Sequence, residues 1–352
     1  MASPLISAII CTHNREQYLG AAIDSLLAQS MKAYGADSYE IIVVDNASTD
    51  STAEIVQSRI APLDVPQPEV AKTEVIKITA ETVSHPILQY VYESTLGLSA
   101  ARNTGATVAK GEIVAYLDDD AEASECWLAS LLSTFEQNEK IAIAGGKVTL
   151  IWPPNAQPPS WLSADLASGL GAYDLGDQMV YIHQPSLTPR GLNYALRKSF
   201  LQEAGGFDLK LGRVGKNLLS NEEQQMTRMA LDSGWQVAYV PSAIAAHNVA
   251  PARMKPGWFL SRSWWQGISE SYREQISGNT GFWQLRIGGE RLARGLFKTL
   301  KYIHRPAQRF ENLAYAYGQI AYIGSVVGHL IRRRTNVANG PVTNGPSASP
   351  FP

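Results

Sequence analysis

Along the N-terminal third the spacing of apolar positions switches repeatedly between a strand-like and a helical pattern. Residues 5–10 are a short apolar run, suited to a parallel strand buried on both faces. The run ends in the polar turn Cys11-Thr12-His13-Asn14-Arg15, after which Tyr18, Leu19, Ala22, Ile23, Leu26 and Leu27 recur at helical spacing. Residues 40–44 form a second strand pattern, broken by Asp45-Asn46-Ala47-Ser48-Thr49-Asp50, a stretch rich in turn and N-cap residues. A helix is expected over 52–60, a surface loop over 61–75 with its three prolines, and a third strand over 87–91. Gly97-Leu98-Ser99-Ala100-Ala101-Arg102-Asn103 opens a helix reaching about residue 109. Residues 113–117 are a strand with Asp118-Asp119-Asp120 at its C-terminal end.

This alternation predicts an α/β fold built on a mostly parallel open sheet. Ligands of such sheets bind at the carboxyl ends of the strands. The polar turns at 12–15, 45–50 and 118–120 all fall on that rim, which loop solubility alone explains poorly. Beyond residue 120 the pattern predicts a helix over 127–135 and a strand over 141–151. A proline-rich loop or lid follows at 152–161, then a strand and short helix over 191–207. A helix over 222–233 and a strand over 236–240 come next, and from Trp258 to Arg332 the spacing is mainly helical. The tail from Thr335, rich in Asn, Gly, Pro and Ser, is expected to be disordered, and no internal repeat is evident.

Composition narrows the class. With 352 residues, 45% hydrophobic and 18% charged, the chain has material for one or two folded cores. The net charge of -2 gives no global field for nucleic acid, so anion binding must be local. Two cysteines, Cys11 and Cys126, make neither a disulfide framework nor a four-ligand zinc site, which fits a reduced, cytoplasmic setting. The N-terminus lacks the pattern of a signal peptide. Residues 313–331 carry no formal charge and precede Arg332-Arg333-Arg334, a length that just spans a bilayer. Gln319, Ser325, His329, three tyrosines and three glycines favour a buried or amphipathic helix instead, with peripheral contact at the cytoplasmic membrane face as the other reading.

Three adjacent carboxylates after a buried strand repel one another, and a divalent cation removes that cost. An acidic N-cap for the next helix is the plainer alternative. Small residues and Arg102 ahead of a helix suit a phosphate group, and Asp45 at a strand end can accept hydrogen bonds from a nucleobase or ribose. Trp152 and Trp161 flank the proline-rich loop and offer either stacking surfaces for a sugar ring or ordinary packing.

The segments at 9–15, 43–50, 97–103 and 116–121 together resemble the ordered signature of family 2 glycosyltransferases, over roughly residues 4–250. The resemblance implies a GT-A fold over 1–255, with a nucleotide-binding half (1–120) and an acceptor half (121–255). A helical extension over 256–334 and the tail over 335–352 complete the expected organisation. It implies a donor that is a nucleotide-diphosphate sugar, by resemblance UDP-linked, a Mn2+ or Mg2+ cofactor, and a glycan or lipid-linked acceptor in polysaccharide biosynthesis. Carried over by position, Thr12, Asn14 and Arg15 line the nucleotide pocket and Asp45 recognises the base. Arg102 lies near the diphosphate, Asp118 approaches the ribose and joins Asp120 as metal ligand, and Asp119 is the variable middle position. The family's acidic pair opening a helix matches Glu222-Glu223, with Glu223 as base and Glu222 as the alternative. Asn221 stands where Gly is usual. His247 matches a histidine that holds metal or diphosphate in some relatives.

Two rivals share parts of this pattern. A sugar nucleotidyltransferase wants a glycine-rich basic loop after the first strand, which 11–15 lacks, and no G-x-G-x-x-G supports a dehydrogenase. A non-catalytic nucleotide-sugar-binding protein would have no need of acids at 118, 120 and 223.

Overall fold

The computed structural model describes residues 4–60, 86–213, 218–276, 278 and 281–339. The loop expected over 61–75 and the tail beyond 339 lie outside the described residues. The first half follows the predicted alternation: β1 (Ile6–Thr12), α1 (Glu16–Leu27), β2 (Tyr39–Asp45), α2 (Thr52–Ile60), β3 (Ile87–Tyr92), α3 (Leu98–Val108) and β4 (Ile113–Asp118). β1 pairs in parallel with β2 and β4, and β2 with β3, so the three polar turns do meet on one rim. Ile9, Ile10 and the run from Ile41 to Val44 are fully buried, as strands covered on both faces require.

The second half comprises β5 (Ala121–Ala123), α4 (Trp127–Gln137), β6 (Ile141–Ile151), α5 (Ala164–Ser168), β7 (Val180–Tyr181), β8 (Asn193–Arg197), α6 (Lys198–Glu203), α7 (Glu222–Asp232) and β9 (Gln236–Asn248). The sheet is continuous and mixed, in the order β3-β2-β1-β4-β8-β6-β9-β5, with β7 on β9. β8 enters antiparallel between β4 and β6 and joins the two halves.

The expected strand over 236–240 is longer than its sequence suggests. Pro241 looks like a terminator because it cannot donate to a ladder. Here the register against β6 shifts between Gly146 and Val148, pairing Val240 with Gly146 but Ala245 with Val148. Pro241 falls inside that bulge, where no ladder bond is lost. β9 therefore continues to His247, which pairs with Ala121 of β5 on one side and Leu150 of β6 on the other.

Three long helices follow among the described residues: α8 (Pro256–Ile276), α9 (Phe282–Lys301) and α10 (Pro306–Asn339). α10 packs against both α8 and α9. It includes the uncharged stretch from Leu313 to Ile331, and no described helix is long and apolar enough to cross a membrane. The close helix contact lies at Gly267 and Gly318, where a Cβ on Gly267 would overlap the Gly318 carbonyl, while Gly324 faces open space. α10 also runs on through Asn339, into the start of the segment expected to be a tail. Trp152 and Trp161 pack on a second core of Leu166, Leu170, Val249, Phe259 and Ala314. Trp161 meets Phe259 and Phe310 edge-on at 5.3 and 5.0 Å, so it ties the proline-rich segment to α8 and α10.

Candidate active site

The small residues of the 97–106 segment bring α3 close to β1 and β2: Ser99, Ala100, Ala101, Gly105 and Ala106 are all buried. This closeness buries Arg102, 2% exposed, between the rings of Tyr116 and Phe207, with its guanidinium 5.7 and 5.3 Å from their centroids. The guanidinium Nη1 donates to Glu223 Oε1 at 3.0 Å and Glu222 Oε1 at 3.2 Å. Arg102 therefore holds the acidic pair as well as lining the cleft. Burial disfavours the Arg102 cation, but the two glutamates outweigh it and hold its pKa above the usual value.

Glu222 and Glu223 form the first turn of α7. Asn221, just before them, has φ 85°, in the left-handed region that Asn tolerates better than other side chains and that Gly adopts freely. The departure from Gly at this position thus keeps the backbone geometry. Burial, then the charge of Glu223, pushes the Glu222 carboxyl up to about 7, with Arg102 opposing. Gly191 faces this cluster, and any Cβ there would overlap Glu223 Oε1 and Arg102 Nη2.

A second cluster sits where β4, β5 and β9 converge. The Asp120 carbonyl accepts from the Asn248 N–H at 2.8 Å, and the β5–β9 ladder places His247 beside the Asp120 carboxylate. His247 Nδ1 lies 2.6 Å from the Leu170 carbonyl. A carbonyl only accepts, so Nδ1 carries a proton, and Nε2 lies 3.0 Å from Asp120 Oδ1. Arg253 bridges the two, with Nη1 3.1 Å from His247 Nε2 and Nη2 3.2 Å from Asp120 Oδ2. Burial would raise the Asp120 carboxyl, yet His247 and Arg253 hold it well below the usual carboxylate range.

These donors suit a divalent cation: a carboxylate beside an imidazole whose outer N–H is fixed by a backbone carbonyl. Among the described residues Asp118, Asp120 and His247 do not close into a three-ligand cluster. Magnesium and manganese need no such cage, because substrate phosphates and water complete their shells. Asp118 lines the cleft, where burial and then Asp120 raise its pKa while Arg102 lowers it. Asp119 is buried, pushed up to about 8 by burial and then by Asp120.

One cleft of about 710 Å³ collects Arg102, Asp118, Glu222, Glu223, His247 and Arg253. Thr12, Asn14, Arg15 and Asp45 lie outside its lining, on the adjoining rim. Thr12 pairs with Asp45 across β1 and β2. Asp45 is buried, accepting from the Ser48 N–H at 2.9 Å and the Tyr90 hydroxyl at 2.7 Å. Arg15 stands at the N-cap position of α1 without a side-chain capping bond, and exposed Asn14 accepts from the Thr49 N–H at 2.8 Å. These bonds tie the two rim turns together. Sequence reasoning missed Gly191 and Arg253, neither of which belongs to a local motif. It also missed the cleft-lining cations Arg190 and Arg213.

A family model described as glycosyl transferase family 2 matches residues 7–193, and one described as glycosyl transferase family group 2 matches 113–330. The chain belongs to glycosyl transferase family 2. This glycosyltransferase is 25% identical over 270 residues to a glucosyl-dolichyl phosphate glucuronosyltransferase of Haloferax volcanii, covering 75% of this chain and 76% of that one. It is 23% identical over 252 residues to glycosyltransferase AglE of the same organism, covering 70% and 68%. Among solved structures, mannosyltransferase PcManGT from Pyrobaculum calidifontis, in complex with GDP-Man and Mn2+, is similar with a TM-score of 0.52 and 17% identity. That match covers 97% of this chain and 77% of the other, and shows that the transferase shares its GT-A fold.

Proposed function

We propose that this transferase is inverting and metal-assisted, moving a sugar from a nucleotide-diphosphate donor to a hydroxyl of a glycan or lipid-linked acceptor. The observation that carries the reading is the shared cleft. It holds a carboxylate base fixed by an arginine (Glu223 on Arg102) and the His247–Arg253 arrangement built on Asp120. Glu223 takes the proton from the acceptor hydroxyl as that oxygen attacks the anomeric carbon and the nucleoside diphosphate leaves on the opposite side. Arg102 keeps Glu223 Oε1 oriented, and Gly191 leaves its approach unobstructed. Arg253 and Arg213 present cations in the cleft that receives the diphosphate. Asp120 and His247 would hold Mn2+ or Mg2+, which when bound supplies positive charge for the leaving diphosphate.

The lipid-linked acceptor draws support from the relative named for glucosyl-dolichyl phosphate, and the metal from the Mn2+ complex of the mannosyltransferase. The setting that fits is polysaccharide assembly at the inner face of the cell membrane. The test is release of nucleoside diphosphate from a panel of UDP- and GDP-sugars with Mn2+ and acceptor present. Asp120→Ala and Glu223→Gln should each abolish transfer. Substantial activity in either variant overturns the assignment, and silence across all donors favours a non-catalytic binding protein.

A further inference from the structure

The exposed side of α9 combines large apolar side chains with cations. Gly288 and Gly295 turn toward α10, where added Cβ atoms would press on Tyr322, Ile323 and Ala316. On the opposite side Trp283, Leu296, Phe297 and Leu300 are 60, 47, 66 and 71% exposed, and Ile303 just past the helix is 50% exposed. Four large apolar side chains on one helix face are far more than scattered surface hydrophobics. Residues 281–310 contain seven Lys and Arg against one Glu, a local charge of +6 in a chain whose total is -2. Arg286 and Arg291 pair with Glu290 and Glu270, whereas Arg294, Lys298, Lys301, Arg305 and Arg309 have no carboxylate partner among the described residues. Arg286 lies over the Trp283 ring at 5.0 Å.

An amphipathic helix with Trp, Phe and Leu on one side and Lys and Arg along its borders lies in the headgroup region of a bilayer, with its axis in the membrane plane. We infer that the outer face of α9 docks this enzyme onto an anionic lipid surface. A second copy of the chain fits poorly, because pairing the same face would bring one +6 segment against another. α10 carries its own exposed apolar row, Leu313, Tyr317, Ile320, Val327 and Ile331, but its cations stand only before and after that row, at Arg309 and Arg332-Arg333-Arg334, whereas Arg286, Arg294, Lys298 and Lys301 are interleaved with the apolar side chains of α9. Docking requires nothing of the reaction proposed above. It has a consequence for that reaction, since Arg294, Gly295 and Lys298 of α9 also line the cleft. A cleft edged by the docked helix opens beside the bilayer, where a lipid-linked acceptor would present its glycan.

The test is co-sedimentation of the full chain with vesicles of phosphatidylcholine alone or mixed with phosphatidylglycerol. Binding should require the anionic lipid and weaken with salt. Phe297→Ser with Leu300→Ser should reduce partition at least about tenfold, and Lys301→Glu with Arg305→Glu should do so without removing apolar surface. Anionic vesicles should shift Trp emission to the blue, and Trp283→Phe should remove most of that shift. Thermal melting checks the serine variant; if its fold is disturbed, the charge variant decides. Equal binding to neutral vesicles, no binding to either, or unchanged binding in the charge variant overturns the inference. So does a dimer that the serine variant converts to monomer, which would make a second copy the occupant.

Discussion

At the scale of single residues, the cleft pairs two carboxylates with one arginine and lets their environments separate their roles. Glu223 is the more exposed of the two, at 15% against 4% for Glu222, which supports it as the proposed base. Glu223→Gln keeps shape and polarity but loses the base. It should lower kcat by roughly 10²–10⁴-fold while leaving the calorimetric affinity for the nucleoside diphosphate unchanged. The Glu222 carboxyl, pushed up to about 7, sets a pH dependence. Below that value the pair retains a proton that the reaction must discard, so kcat/KM should fall as pH drops through about 7. Glu222→Gln removes the neighbouring charge, and the acid limb of the pH–rate profile should move to lower pH. The acids at 118–120 and 222–223 were legible in the sequence because charge at a strand end or helix start is locally conspicuous. Gly191 and Arg253 were not, because each acts on residues remote in sequence that only the folded sheet brings near.

At the scale of elements, the alternation through residue 118 was legible almost strand by strand, since buried parallel strands are apolar runs bounded by polar turns. β5 and the second part of β9 were not. The first is three residues long, and the second lies beyond a proline that its own sequence presents as an end. The bulge opposite Lys147 resolves that conflict and cannot be inferred without the partner strand. Two turns of backbone geometry carry testable consequences. Asn221→Gly should be tolerated, whereas Asn221→Ala, at φ 85°, should cost about 1–2 kcal/mol in thermal or denaturant unfolding. Gly191→Ala must displace Glu223 or Arg102. It should depress kcat sharply in a transfer assay and, like Glu223→Gln, leave nucleotide affinity unchanged, because neither change touches Asp120.

At the scale of the whole molecule, the C-terminal helices do more than follow the catalytic fold. Ser263, Gln266 and Gly267 of α8 and Gly318 and Gln319 of α10 line the same cleft as the acidic pair. Gly267→Leu should force α8 away from α10, at a cost of roughly 1–3 kcal/mol in unfolding. It should also raise the acceptor KM more than the donor KM in initial-rate measurements. Helical periodicity revealed these helices, and the uncharged stretch of α10 was rightly open to a buried reading, but nothing local showed that they wall the site. The strand β9 spans these scales. Side chains alternate faces along a strand, so the number of residues between Val240 and His247 decides which way the imidazole points. Deleting one residue from 241–244 would leave most of the ladder able to form and yet turn His247 away from Asp120. The length of that bulge thus carries information about the geometry of the cleft in a residue count, independent of side-chain identity, which position-by-position substitution would never expose.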